Sequence, residues 1–301
     1  MTLGGRCANV AVPFVLEGQT ERRCNTMPQL CGPRRAGLSG TALKTIALVL
    51  MLLDHLHYMF GFTGMVPVWF TMLGRLSAPL FLFCTVEGFA HTHDRKRYVM
   101  RMLAVAAPMG GIQFFMTYAG VWRRGDGFYP RNGIFMNFVI LCIVWQGMDW
   151  LKQKRWGPGL LAVALPLLWP VAAGRLSAVP GLAAPVGLAC YTLLPAWSLI
   201  ADGGLNYLIE GILLYAFREN RIVQLGAWAA YVLAVQLVMP LASGYSFTRL
   251  CTELFEWFSV LAVVLMAQYN GERGAGHKLL FYLIYPGHVY LFYAVSCLVY
   301  R

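Results

Sequence analysis

Six polar side chains lie where the sequence is otherwise apolar, and they define the chemistry open to this chain. Asp54, His55 and His57 fall in one apolar run, Arg75 and Glu87 in the next, and His288 in the last. An imidazole titrating near neutrality is the commonest general base. An arginine can hold a phosphate or a developing oxyanion. A carboxylate in a low-dielectric region favours the protonated form of a nearby imidazole. Together they suit proton abstraction and group transfer. Asp54 and His55 are neighbours, so they leave a helix about 100° apart and the carboxylate need not bond the adjacent ring. The pairs His55/His57 and His91/His93 invite a metal reading, but residues two apart on a helix face away from each other, and the two pairs sit at different depths. No metal site is expected.

The elements that must position these groups follow from composition. Of 301 residues, 58% are hydrophobic and 12% charged, against about 25% charged in a soluble domain. Stretches 102–122, 156–174, 176–201, 222–248 and 279–300 hold no Asp, Glu, Lys or Arg, and about 20 apolar residues cross the hydrocarbon core as a helix. The chain therefore reads as an all-α polytopic membrane protein. Run lengths and breaks predict about ten transmembrane helices, over 42–61, 67–90, 98–119, 133–149, 156–173, 179–200, 204–217, 222–243, 251–269 and 278–300. With a rise of about 1.5 Å per residue, His55, Arg75 and His288 each fall about 12–15 Å from the outer boundary. That common depth lets the three meet in one cavity. Glu87 falls near the inner boundary. Ten spans and a 40-residue tail leave about 60 residues for nine loops, so any site must be built from helices and short loops.

Charge gives the expected orientation. With the N-terminus inside, 15 Lys and Arg fall on the inner face and 8 on the outer (Arg123, Arg124, Arg131, Arg175, Arg218, Arg221, Arg273 and Lys278), with Arg75 in the membrane. Lys and Arg concentrate on the cytoplasmic side, which predicts a multi-pass protein of the inner or plasma membrane with both termini cytoplasmic. The net charge of +11 then reports topology, not nucleic acid, because no basic run interleaves with aromatics on a soluble module. The eight cysteines are scattered and suggest neither a disulfide framework nor a zinc site. Residues 1–40 read as a polar, disordered cytoplasmic tail, and 41–301 as the membrane domain.

Several segments resemble the TraX family of integral membrane proteins. They are Leu38-Ser39-Gly40-Thr41-Ala42-Leu43-Lys44-Thr45-Ile46-Ala47 running on to Met51-Leu52-Leu53-Asp54-His55, then Gly74-Arg75-Leu76-Ser77-Ala78-Pro79-Leu80-Phe81-Leu82-Phe83, Glu87-Gly88-Phe89, His91-Thr92, Tyr98-Val99-Met100-Arg101-Met102-Leu103 and Asn132-Gly133-Ile134-Phe135. Near the C-terminus Gly271-Glu272-Arg273-Gly274 and Phe281-Tyr282-Leu283-Ile284-Tyr285-Pro286-Gly287-His288 are again similar. Met136 stands where the family often has Thr, and Pro108–Gly111 where a Ser is expected.

The resemblance implies more than spacing does. The family is associated with N-terminal acetylation of pilin. It is similar to membrane acyltransferases that use cytoplasmic acetyl-CoA with a His on an early helix, among them the lysosomal heparan glucosaminide N-acetyltransferase. Carried to matching positions, His55 is the base, Asp54 its electrostatic partner and Arg75 an acyl-CoA or oxyanion contact. Glu87, Arg97, Tyr98, Arg101, Asn137 and His288 complete a substrate- or cofactor-binding set. Arg95, Lys96, Arg97 and Arg101 could also meet the phosphates of CoA from the inside. The expected activity is acetyl transfer from acetyl-CoA to an amine or hydroxyl whose carrier (peptide, sugar or other small molecule) stays open. The competing expectations are a transporter or channel and a structural membrane component of a conjugation apparatus.

Overall fold

The computed structural model describes residues 36–200, 203–275 and 278–300, with the side chains of 278–280 excepted. The expected N-terminal tail, apart from its last residues, lies outside the described residues. The rest is helical. Helices α1 (Gly40–Phe60), α2 (Trp69–Gly74), α3 (Ser77–Ala90), α4 (Arg95–Tyr118), α5 (Ile134–Lys152), α6 (Trp156–Ser177), α7 (Ala183–Thr192), α8 (Gly204–Ala216), α9 (Arg221–Leu233), α10 (Met239–Ala242), α11 (Phe247–Thr252), α12 (Ala262–Ala267) and α13 (Lys278–Val299) follow in order. Seven helical stretches are long and apolar enough to cross a membrane, and Gly204–Ala216 and Phe255–Ala267 are shorter apolar helices.

Local signals explain the ends. Ser39 Oγ accepts from Ala42 N at the start of α1, Asp94 Oδ1 from Arg97 N at α4, and Asn220 Oδ1 from Ile222 N and Val223 N at α9, the usual satisfaction of orphan donors at a helix start. Pro240 has no N–H to offer the carbonyl four residues back, and the turn before it widens into a π-helix over Ala234–Val238. Between helices in lipid, association rests on close packing at small residues. A Cβ on Gly147 would touch Ala162, Val163 and the Gly159 carbonyl, and one on Gly159 would touch Leu151, which brings α5 and α6 together. One on Gly211 would strike Leu141, and Trp145 there stacks on Tyr215 (5.0 Å, 12°) while its Nε1 donates to Gly211 O.

Two of the expected helices take another form. The stretch 251–269 is a short helix, a 3-10 segment over Phe255–Leu261, and α12. The stretch 179–200 holds the ten-residue α7 and a 3-10 turn over Trp197–Leu199; the Tyr191 carbonyl of α7 lies against Gly110, about 12 Å from the end of α4. Residues 193–200 then run past the middle of α6, where Trp197 Nε1 donates to Leu167 O, and bring Ile200 against Gly133 at the start of α5. This dip is irregular backbone at membrane depth, tolerated because Ala196 and Ile200 are buried in protein.

The dip changes the topology. Asp149 near the end of α5 accepts from Arg95 Nη1 (2.8 Å), Arg218 Nη2 (3.1 Å) and Tyr215 Oη (2.8 Å), and Arg221 pairs with Glu87 (3.1 Å). The turn 217–220 therefore sits on the face where α3 ends and α4 begins, not opposite it. Leu38 N donates to Gln268 O and Thr41 N to Arg273 O, which puts 268–275 beside the start of α1. Tyr300 packs on Phe62, Gly125 and Arg124 at the other face. Counting the seven long apolar helices and the two shorter ones among the described residues as passes between these faces, the last helix ends opposite the start of the first. The expectation that both ends share a face is thereby corrected. Outside the tail, Lys44, Arg95, Lys96, Arg97, Arg101, Lys152, Lys154, Arg155, Arg218, Arg221, Arg273 and Lys278 belong to the face of Ser39, called face A. Only Arg123, Arg124, Arg131, Arg175 and Arg249 belong to face B. A bias of twelve to five replaces the nine to eight that ten crossings give for the same residues.

Single cysteines introduced into a cysteine-depleted chain check this. A membrane-impermeant maleimide should reach Glu219→Cys from the side that labels His93→Cys, and Tyr245→Cys from the side that labels Met65→Cys. A ten-crossing chain would give the reverse pairing.

Candidate active site

Helix α1 buries Leu43, Ala47, Met51, His55 and Met59. That stripe of every fourth residue carries His55 onto the helix face that meets the core. Its ring Nδ1 lies 2.5 Å from His288 Nε2, the two ring planes are 15° apart, and His288 Nδ1 lies 2.7 Å from the Ile284 carbonyl, one turn back on α13. On the other side Asn132 Nδ2 lies 2.9 Å from His55 Nε2.

These bonds fix the protons of the neutral rings. A carbonyl only accepts, so His288 Nδ1 carries a hydrogen and its Nε2 is a lone pair. That lone pair requires a hydrogen on His55 Nδ1, which leaves the His55 Nε2 lone pair to accept from the Asn132 amide. The consequence is a basic nitrogen of defined orientation. Asn132 Oδ1 is buried with no hydrogen-bond partner among the described residues, a cost that calls for an explanation. Beside the rings, a cleft of about 280 Å³ lined by Tyr58, Gly127, Phe128, Tyr129 and Arg131 opens at face B, with the Tyr58 ring 6.3 Å from that of His55.

Asn132 is held by the loop 119–133, which is clamped from several sides. Buried Arg124 donates to Met59 O (2.9 Å), pairs with Asp126 (2.7 Å), and lies over the rings of Phe62, Phe128 and Tyr300. The Arg124 guanidinium holds the Asp126 carboxyl below the usual range. Arg123 donates to the carbonyls of Met116 (2.7 Å) and Thr117 (2.6 Å), covering the C-terminal end of α4. Tyr293 Oη lies 2.6 Å from Trp122 O and 3.0 Å from Phe128 O. Arg123 and Arg124 are thus held by structure, which explains their departure from the charge rule.

Asp54 leaves α1 in another direction. Its Oδ1 accepts from Thr71 Oγ1 (2.5 Å) and Arg75 Nη2 (3.4 Å); Arg75 Nη2 also donates to Thr71 Oγ1 (2.7 Å), and Arg75 Nη1 to both oxygens of Glu256 (3.1 Å). Gly74 permits this, since a Cβ there would overlap Asp54 Cβ. The shared depth of His55, Arg75 and His288 therefore joins His55 to His288 but sends Arg75 to Asp54. Depth says nothing of direction around the helix, and a step of one residue turns about 100°.

The remaining candidates lie elsewhere. Glu87 pairs with Arg221, which also reaches Gln224 (2.7 Å). Arg97 is exposed beside Asp94, Arg101 Nε donates to Arg97 O (3.2 Å), and Tyr98 Oη lies 3.4 Å from Thr85 O against Gly88. All four belong to the face A end of the bundle. Asn137 is fully buried in α5, a turn beyond Gly133. Of the other histidines, His57 Nδ1 lies 3.1 Å from Val66 O and His91 Nδ1 2.9 Å from Glu87 O. The functional candidate missed in sequence is Asn132. It sits in a loop, where depth arithmetic has no purchase; its signal was the Asn132–Phe135 segment.

A family model described as "TraX protein" matches residues 39–296. The chain belongs to the TraX family. Among curated proteins, one from Dichelobacter nodosus described as "Probable fimbrial assembly protein FimC, serogroup H1" is 28% identical over 268 residues, 86% of this chain and 96% of that protein. No solved structure matches. The match of this TraX-family chain takes in α1 with His55, the loop with Asn132 and α13 with His288, so the whole dyad lies inside the family region.

Substituting Gly74 isolates the second cluster. Gly74→Ala forces its new methyl into Asp54 and should cost about 1–3 kcal/mol by overpacking, read as a lower unfolding midpoint in detergent. A midpoint equal to that of the unaltered protein would show that α1 and α2 do not pack through this glycine.

Proposed function

We propose that this TraX-family chain is an integral-membrane acyltransferase that moves an acetyl group from acetyl-CoA to an amine or hydroxyl, with His55 as general base. The observation that carries the reading is the His55 Nε2 lone pair, oriented by His288 and capped by the amide of Asn132, whose loop neighbours Tyr129 and Arg131 line an aromatic cleft. The acceptor displaces the Asn132 amide from Nε2 and gives its proton to that nitrogen as its N or O attacks the thioester carbonyl. His55 Nδ1–H remains bonded to His288, so the imidazolium charge is stabilised by a ring whose own Nδ1–H is held by Ile284. The displaced Asn132 N–H is then free to donate to the oxyanion, a role expected of Arg75 but better suited to Asn132, since Arg75 is held by Asp54 and Glu256. Collapse breaks the C–S bond, and the leaving thiolate takes the proton from His55 to give CoA thiol and the acetylated acceptor.

Orientation is part of the proposal. By the preference of Lys and Arg for the cytoplasmic side, face A is cytoplasmic in an inner or plasma membrane. The cleft of Tyr58, Phe128, Tyr129 and Arg131 then faces away from the cytoplasm and takes the acceptor. The fimbrial-assembly description of the Dichelobacter nodosus relative fits an acceptor among surface-fibre components. The same description favours a second reading, a non-catalytic membrane part of such an assembly, in which the dyad only joins α1 to α13.

Purified protein and labelled acetyl-CoA distinguish the two. His55→Ala should lower hydrolysis or transfer by about 10²–10⁴-fold with the protein still folded, His288→Ala should lower it less, and Asp54→Asn should stay within a few-fold of the unaltered chain. Activity undiminished in His55→Ala would remove the base assignment. Absence of acetyl turnover in the unaltered chain, with loss of surface fibres on gene deletion, would favour the assembly reading.

A further inference from the structure

A second cavity, of about 440 Å³, lies at the face A end between α4 and the α5–α6 hairpin, well away from His55. Its volume falls within the range of small-molecule sites, which are mostly apolar with a few placed polar groups. The walls are Phe89, Val99, Cys142, Ile143 and Ala162. The mouth carries Arg95, Lys96 and Gln146, with Trp150 beside them and Arg155 over the Trp150 ring. Arg95 already bonds Asp149 and Gln146, and Arg218 bonds the other Asp149 oxygen. Two guanidinium charges against one carboxylate leave an excess of one, and Lys96, exposed and without a carboxylate partner among the described residues, adds another. The cavity thus has an apolar interior and a cationic rim, and it opens beside Met100, which is exposed on the outer side of α4. An indole at the rim suits the headgroup level of a bilayer.

We propose that this cavity binds an anionic phospholipid of the face A leaflet, its phosphate at Lys96 and Arg95 and one acyl chain along Val99, Ile143 and Ala162. Basic pockets between membrane helices are where anionic headgroups are held. Charge complementarity sets the class of headgroup, and the apolar walls require a chain, so a free phosphate would use only the rim. No group of the His55 site takes part, and since Arg95 and Lys96 are also the residues expected to meet CoA phosphates, the test sets the lipid against an acyl-CoA.

The test is native mass spectrometry of the full-length protein released from micelles holding equal amounts of phosphatidylglycerol and phosphatidylcholine with identical chains. Phosphatidylglycerol should be the lipid retained. Lys96→Glu should lower its retention by about fivefold or more, from the worth of one basic residue at a lipid surface, whereas Lys154→Glu, on the same face but outside the cavity, should not. Ala162→Trp, which fills the interior, should lower retention of both lipids, and Lys96→Glu, at an exposed position, keeps the test open should that variant not fold. Equal retention of the two lipids, or an equal loss in Lys96→Glu and Lys154→Glu, would overturn the proposal. So would displacement of the lipid by hexadecanoyl-CoA at lower concentration than by added phosphatidylglycerol, which would make the cavity a thioester site.

Discussion

Hydrocarbon offers no hydrogen bonds, and that constraint decides where each polar group in this chain goes. Every polar side chain carried into the membrane must find its partner in protein. Asp54 finds Thr71 and Arg75, Glu210 accepts from Trp228 Nε1 and Gln236 Nε2, Asp149 gathers Arg95, Arg218 and Tyr215, and His55 finds His288. The Glu210 and Asp149 sets are closed by structure, and the Asp54 set leaves only Arg75 Nε buried without a hydrogen-bond partner among the described residues. The fourth ends in a ring nitrogen whose only partner among the described residues is an exchangeable amide. A basic lone pair held only by a displaceable amide separates the candidate site from the buried polar groups that hold the bundle together.

Directionality within the open set comes from the backbone. The Ile284 carbonyl orients His288, His288 orients His55, and the basic lone pair points at Asn132. A second histidine performs the orienting that a carboxylate provides in many His-based sites, without adding a negative charge at membrane depth. The loop that carries Asn132 is held by Arg124, Arg123 and Tyr293, so the partner of the lone pair is positioned from face B while the rings are positioned from the helices. On the acyl-transfer reading, a substrate that reaches His55 displaces this amide.

Much of this was legible in the sequence. Apolar run length located α1, α4, α5, α6 and α13, and rise per residue put His55 and His288 at one level. What rise cannot supply is rotation, and the wrong partner for Asp54 and Arg75 follows from that alone. The segment 179–200 was unreadable for another reason. It is apolar enough to cross, but Pro180, Pro185 and Pro195 divide it, and whether it crosses or dips depends on its burial against α4 and α6. Whether this segment crosses or dips sets the face of every later loop, and with it the side given to Arg218, Arg221 and Arg273. Asp149 passed unnoticed because a carboxylate at a helix end is ordinary until two arginines from distant segments converge on it.

The central claim is the direction of the hydrogen bonds through the two rings. Nitrogen NMR of the full chain carrying labelled histidine, with signals assigned by their loss in His55→Gln and His288→Gln, reads it directly. The structure requires a protonated Nδ1 and an unprotonated Nε2 on both neutral rings, with a coupling across the bond from His55 Nδ1 to His288 Nε2. A hydrogen on Nε2 of neutral His55 would mean that the lone pair faces His288 instead of Asn132, and would contradict the account.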